Sequence, residues 1–245
     1  MKSPRIISWP VSNRPDARMV DEVVAALRRG ALVILPTDTV YGVAADPGTP
    51  GTPGAPGAEE RLCRVKRRPD NKPIALLAAD GRQVEAYGAQ LGVIGRALAD
   101  RYWPGALTMV LKTGNTWEGF RIPNHPVTLA ILKAMGGVLR VTSANMSGEV
   151  PALTAAAAVA ALGSAVELAV DAGPAPGGVP STVVKIGLGR CDILREGAIP
   201  SAEIAEIVAS LRNFNLGRRG AMRRDRRRIP IPADRRRDRD TSHMQ

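Results

Sequence analysis

The sequence predicts an α/β domain: a twisted, mixed β-sheet with helices packed on it. Three observations carry this. Short apolar runs recur, such as "ALVIL" (31–35), "IALLAA" (74–79) and "TVVKI" (182–186), the length and composition of strands buried on both faces. Segments with apolar residues three and four apart alternate with these runs, which is helical periodicity. An apolar fraction of 44% over 245 residues is ample for one large core.

In chain order, a helix is predicted over 15–29, with Asn13 as N-cap, Pro15 in the first turn and Gly30 as the stop. Met19, Val23, Val24 and Leu27 form its apolar face. "ALVIL" is the next strand, and "PTDTVYGVAADP" (36–47) reads as a hydroxyl-rich loop. "GTPGTPGAPG" (48–57) is a low-complexity surface loop, too short for a collagen helix. A short helix resumes at Ala58 and ends near "VKRRPDNKP" (65–73). "IALLAA" is a buried strand, followed by helices near 80–87 and 91–101 and the strand "LTMVLK" (107–112). A helix fits 126–135, and a strand then runs into "LRVTSANMSG" (139–148). Thr154 caps a helix to 162. "VELAV" (166–170), "TVVKI" and "DILR" (192–195) are strands, and Ser201 opens a helix to 211. Residues 1–14 read as an N-terminal extension, 15–212 as the domain, and 213–245 as an Arg-rich tail of disordered composition.

Composition removes several function classes. Cys63 and Cys191 are the two cysteines and lack any CxxC spacing, so neither a disulfide framework nor a structural zinc site is expected. His125 and His243 are the two histidines, so a three-histidine metal centre is impossible and no protein metal site is expected. No apolar run is long enough to span a bilayer, and the N-terminus lacks a signal-type apolar core. No membrane association and a cytoplasmic location are the expectations. The net charge of +11 is uneven: residues 218–240 hold 11 Arg and 4 Asp, leaving 23 basic and 19 acidic residues elsewhere. The high pI is mostly a property of the tail.

Chemistry must therefore rest on Lys, Arg, hydroxyls and amides. Lys66, Arg68 and Lys72 sit close together in "KRRPDNKP", with Arg67 between the first two. Such a segment is either a solvated basic loop or a clamp for polyphosphate or carboxylate. No Walker A or dinucleotide fingerprint occurs. Thr37 and Thr39 follow a strand, Ser143 and Asn145 follow another, and Ser181 and Thr182 begin a third. Hydroxyls at strand ends cap turns or orient a polar ligand, and ligands in open α/β sheets sit beyond strand carboxyl ends. Arg121 and Arg195 are single arginines beside apolar residues.

Taken in order, "LPTDTVYGVAADP", "KRRPDNKPI", "WPGALT", "RIPNHP", "TSANMSG", "GVPSTVVKI" and "LREG" resemble the YrdC/Sua5 (TsaC-type) family of threonylcarbamoyl-AMP synthases, over roughly 15–212. The Lys-x-Arg segment (Lys66, Arg68) paired with the Ser-x-Asn segment (Ser143, Asn145) is the most specific part. The resemblance implies a single YrdC-like domain with a concave basic substrate cleft, of the short type without the longer type's extra domain. It implies a nucleotidyltransferase that joins L-threonine, bicarbonate and ATP into L-threonylcarbamoyladenylate and pyrophosphate, with Mg²⁺ accompanying ATP. The product serves threonylcarbamoyladenosine (t6A) modification of tRNA, completed by a separate threonylcarbamoyl transferase complex. The implied catalytic residues are Lys66, Arg68, Ser143 and Asn145. Thr37, Thr39, Ser143, Ser181 and Arg121 would hold threonine and its carbamate. Lys66, Arg68, Lys72, Thr108, Asn145 and Arg195 would hold ATP.

The pattern also departs from the family. The Gly/Pro stretch lengthens the lead into the Lys-x-Arg helix, and "KTGNTWEGFRIP" is shorter than usual. Ala106 and Glu196 stand where proline is usual, and Glu196 places a negative charge beside Arg195. Two rivals are a non-catalytic YrdC-like module binding double-stranded RNA or tRNA, and the carbamoyl-adenylate chemistry of hydrogenase-maturation carbamoyltransferases. RNA contact through the Arg-rich tail would be phosphate electrostatics. The aromatic content of 3% offers little for base stacking.

Overall fold

The computed structural model describes residues 3–9, 16–48, 57–67, 73–187 and 189–211. Asn13, Pro15, most of the Gly/Pro stretch, Arg68, Lys72 and the Arg-rich tail lie outside them. Backbone contacts divide the chain into Met1–Val208 and Ala209–Gln245. Every site residue considered below belongs to the first unit.

The described strands form one sheet. They are β1 (Arg5–Ser8), β2 (Val33–Leu35), β3 (Gly42–Ala45), β4 (Leu76–Leu77), β5 (Ala89–Gln90), β6 (Leu107–Thr113), β7 (Thr116–Arg121), β8 (Leu139–Ser143), β9 (Leu168–Asp171), β10 (Thr182–Gly187) and β11 (Arg190–Arg195). Their order across the sheet is β1-β9-β2-β3-β8-β4-β7-β6-β10-β11, with β5 against β6. The sheet is mixed: β1/β9, β9/β2, β4/β7 and β6/β10 are parallel and the other pairs antiparallel. The helices are α1 (Ala17–Arg28), α2 (Ala58–Lys66), α3 (Gly81–Ala86), α4 (Gly92–Tyr102), α5 (Pro126–Met135), α6 (Ala155–Leu162) and α7 over 201–211.

Apolar strands need cover on both faces, and the helices supply it. Side chains alternate along β2: Val33 and Leu35 join one core cluster with Val23 and Leu27 of α1 and Ile131 of α5. Ile34 joins the other, with Leu62 of α2 and Leu162 of α6. The two-residue period of a strand thus sorts one apolar run into two cores.

Three sequence expectations are corrected. Arg5–Ser8, read as part of an extension ahead of the domain, is edge strand β1, paired in parallel with β9. Its partner lies far along the chain, and four residues carry no usable periodicity. Gly42–Ala45, read as loop, is strand β3, buried throughout between β2 and β8. Its small residues, "GVAA", mask strand propensity. Helix α1 starts at Ala17 and is capped by Asp16, whose carboxylate accepts from Arg18 N at 2.9 Å.

Candidate active site

Helix α2 stops at Lys66 because Arg67 turns into the left-handed region (φ 50°). That places Lys66 in the last helical turn, where the helix dipole favours a cation. The side chain is 3% exposed. Its ammonium donates to the Ser143 carbonyl, to Ser143 Oγ at 3.1 Å and to Asn145 Oδ1 at 3.3 Å. Asn145 is held in turn, because its Nδ2 donates to Met146 O (2.9 Å) and Glu149 O (2.7 Å). The main chain closes the contact: Ser147 N donates to Lys66 O at 3.0 Å, and Ala144 N to Tyr41 O at 2.8 Å. Dipoles surround a desolvated charge here, the arrangement that makes a buried lysine tolerable.

A second set forms around Arg121, at the end of β7 and 7% exposed. Its Nε donates to Gly105 O (2.9 Å), Nη1 to Thr39 Oγ1 (2.8 Å) and Nη2 to Asp38 Oδ1 (2.5 Å). Asp38 also accepts from Asn124 N at 3.1 Å. The 36–41 loop leaves β2 and β3 yet touches β7, the third strand from β3, so it reaches past β8 and β4. Thr37 shapes that loop: its hydroxyl donates to Val40 O (2.6 Å) and accepts from the N–H groups of Thr39 and Val40 (3.2 Å each). Its capacity is filled within the loop. Three of the five N–H donors of Arg121 are engaged, and two remain. Burial pulls the Arg121 pKa below the ordinary arginine value; Asp38 opposes this and the like charge of Arg195 adds to it.

The third set joins β6, β10 and β11. Thr108 Oγ1 and Ser181 Oγ share a hydrogen bond of 2.8 Å. Arg195 Nη2 donates to Ser181 O at 2.6 Å and reaches its Oγ at 3.5 Å. Thr182 is fully buried and anchors the turn after β11, donating to Ile199 O and accepting from Gly197 N and Ile199 N. Gly178 N donates to Thr39 O at 2.8 Å, which ties this set's approach loop to the Arg121 set. Glu196 turns its carboxylate to Ser201, accepting from Oγ at 2.9 Å and N at 3.3 Å. The Glu196 carboxylate thereby caps the start of α7.

Of the residues singled out by sequence, the structure groups Lys66 with Ser143 and Asn145, Arg121 with Thr37 and Thr39, and Arg195 with Thr108 and Ser181. Arg68 and Lys72 lie outside the described residues. Sequence reasoning missed Asp38. The signal was a lone carboxylate between two threonines in "PTDTVYG", answered far along the chain by one buried arginine.

Two outcomes follow from this geometry. A Cβ on Gly197 would fall 2.3 Å from Pro180 O and 2.6 Å from Ser181 backbone atoms. Gly197→Ala is expected to lower stability by about 1–3 kcal/mol through enforced displacement, read as a lower urea midpoint, and to move Ser181. His125, the residue preceding α5, has a buried Nδ1 with no hydrogen-bond partner among the described residues. Burial pulls its pKa below the usual histidine range, with Asp38 opposing. The unfolded chain therefore takes up that proton first as pH falls below about 6.5. Stability is expected to drop as pH falls through that range, and His125→Gln should flatten the dependence.

Comparison with known proteins places this arrangement. The Sua5/YciO/YrdC family model, described as "Telomere recombination", matches residues 25–197. The threonylcarbamoyl-AMP synthase of Chromohalobacter salexigens is 36% identical over 162 residues, covering 62% of this chain and 84% of that protein. That of Thiobacillus denitrificans is 33% identical over 176 residues, covering 68% and 90%. The crystal structure of Pyrococcus abyssi Sua5 complexed with L-threonine aligns with a TM-score of 0.74 at 25% identity, over 84% of this chain and 61% of that one. The chain thus spans about three fifths of that Sua5. With the family model covering most of the chain and the fold shared, the protein belongs to the Sua5/YciO/YrdC family.

Proposed function

We propose that this protein is a threonylcarbamoyl-AMP synthase, forming L-threonylcarbamoyladenylate and pyrophosphate from L-threonine, bicarbonate and ATP. The observation that carries the reading is the buried Lys66 ammonium held against Ser143 and Asn145, in a family whose relatives bear that name. Threonine's neutral amine combines with bicarbonate, releasing water and leaving a carbamate. A carbamate oxygen attacks the α-phosphorus of ATP, and the bond to the bridging oxygen breaks as pyrophosphate departs. The carbamate is already an anion, so no protein nucleophile is needed. Positioning and charge stabilisation supply the catalysis.

In this reading Lys66 exchanges one of its three present acceptors for a phosphoryl oxygen on which charge develops, and Arg195 faces the polyphosphate, joined by Arg68 and Lys72. Asn145 and Thr108 orient the nucleotide. The two spare N–H donors of Arg121 take the threonine carboxylate, with Thr39, Ser143 and Ser181 around the amino acid and carbamate; Thr37 keeps the loop in shape. Magnesium enters with ATP as part of the substrate. Such an ion is ligated mainly by phosphate and water. The product passes to a threonylcarbamoyl transferase complex acting on tRNA, and the Arg-rich tail supplies phosphate contact with RNA. The reading is tested by pyrophosphate release from ATP with bicarbonate and Mg²⁺. Release that requires L-threonine supports it, and release indifferent to L-threonine refutes it.

A further inference from the structure

One buried side chain ties together the segments that carry the site residues. Tyr41, at the end of the 36–41 loop, is fully buried, and its hydroxyl belongs to none of the three sets. Its main chain meets two neighbouring segments. Tyr41 N donates to Ala152 O at 2.9 Å, and Tyr41 O accepts from Ala144 N, between Ser143 and Asn145, at 2.8 Å. Its hydroxyl meets a third, donating to Gly173 O at 2.6 Å and accepting from Ala172 N at 3.3 Å. Gly173 is held from its other side too, with its N–H donating to Asp171 Oδ1 at 3.0 Å. Burial pushes the Tyr41 pKa up to about 12, with the Ala172 N–H opposing and the Asp171 carboxylate adding. The phenol therefore keeps the proton that it donates.

The segment anchored there, 172–180, joins β9 to β10. Pro174, Pro176 and Pro180 lie along it, and each lacks an N–H to donate. Main-chain anchors are correspondingly few, and the Tyr41 hydroxyl engages two groups of the segment at once. Farther along, Ala175 N donates to Leu153 O and Gly178 N to Thr39 O, both at 2.8 Å. Gly177 lies so close to the 36–41 loop that a Cβ there would fall 2.5 Å from Asp38 O. The segment then delivers Ser181, whose hydroxyl meets Thr108 at 2.8 Å and whose carbonyl accepts from Arg195 at 2.6 Å. It thus touches the Arg121 set midway and enters the Arg195 set at its end.

We propose that the Tyr41 hydroxyl is a positioning group for the reaction: by anchoring the start of the 172–180 segment, it sets Thr39 and Ser181 for L-threonine and its carbamate. The proposal rests on the synthase reading and adds to it a residue that touches neither substrate. Bound L-threonine orders the same segment from the other side, so losing the hydroxyl weakens binding more than it slows the bound complex.

The test is Tyr41→Phe, which keeps the ring and removes only the hydroxyl. Its KM for L-threonine is expected to rise about three- to tenfold, the worth of one hydrogen bond, with kcat changed by less than about twofold. Amide hydrogen exchange at Ala175 and Gly178 should quicken by a similar factor, while β2 and α1 exchange as in the wild type. Should Tyr41→Phe not fold, exchange in the wild type decides: L-threonine added with ATP slows Ala175 and Gly178 if the segment serves the site, and unchanged exchange overturns the proposal. A folded Tyr41→Phe protein with the parental KM also overturns it, whatever its urea midpoint, because a phenol that supports only the fold moves stability alone. A wild type without threonine-dependent pyrophosphate release overturns the synthase reading and this proposal with it.

Discussion

Lys66→Ala is expected to lower threonine-dependent pyrophosphate release by about 10²–10³-fold, the effect of removing one preorganised charge-stabilising donor. The loss should appear in kcat, because this ammonium acts on charge that develops as the α-phosphorus is attacked. Lys66→Arg should not restore the rate: a planar fork cannot occupy the point at which Ser143 O, Ser143 Oγ and Asn145 Oδ1 converge. Lys66→Ala also leaves those acceptors unsatisfied, at a cost of about 1–3 kcal/mol. Its urea midpoint must therefore be measured alongside the rate. A folded Lys66→Ala protein that retains the parental kcat would remove Lys66 from the chemistry.

Asp38→Ala is expected to be the most destabilising single change near the site. Arg121 and Asp38 are 8% and 13% exposed at the side chain, so removing the carboxylate strands a buried cation, a loss of about 3–5 kcal/mol. The same change releases Arg121 from its partner and frees the Asn124 N–H. Thr39, held by Arg121 Nη1 at 2.8 Å, then loses its fixed orientation, and KM for threonine should rise. Asp38→Asn keeps an acceptor oxygen in place and should cost less in both readouts. If Asp38→Ala and wild type unfold at the same urea concentration, the pair does not hold the loop.

How much of this was legible in the sequence depends on where the information sits. Helix α5 was expected over 126–135 and lies over Pro126–Met135, with Pro126 in its first turn and the left-handed Gly136 as its cap. Helix α6 follows its Thr154 cap, whose hydroxyl accepts from Ala157 N at 3.1 Å. These are local signals, decided within one turn of chain. Strands β1 and β3 were missed because their partners are remote in sequence and their residues short or small. The site divides in the same way. Lys66, Ser143 and Asn145 stood out as motif residues, whereas Asp38 becomes visible only through Arg121, distant in the chain. Thr37 looked like a ligand group, and the fold engages its hydroxyl within its own loop.

This chain is expected to couple bicarbonate, L-threonine and ATP. The most direct measurement incubates the full protein with ATP, Mg²⁺, L-threonine and ¹³C-bicarbonate and identifies the adenylate by mass spectrometry. The expected product is threonylcarbamoyladenylate that carries the heavy carbon and forms in step with pyrophosphate. Pyrophosphate released without a ¹³C-bearing adenylate, or no adenylate from a folded protein, would contradict the account.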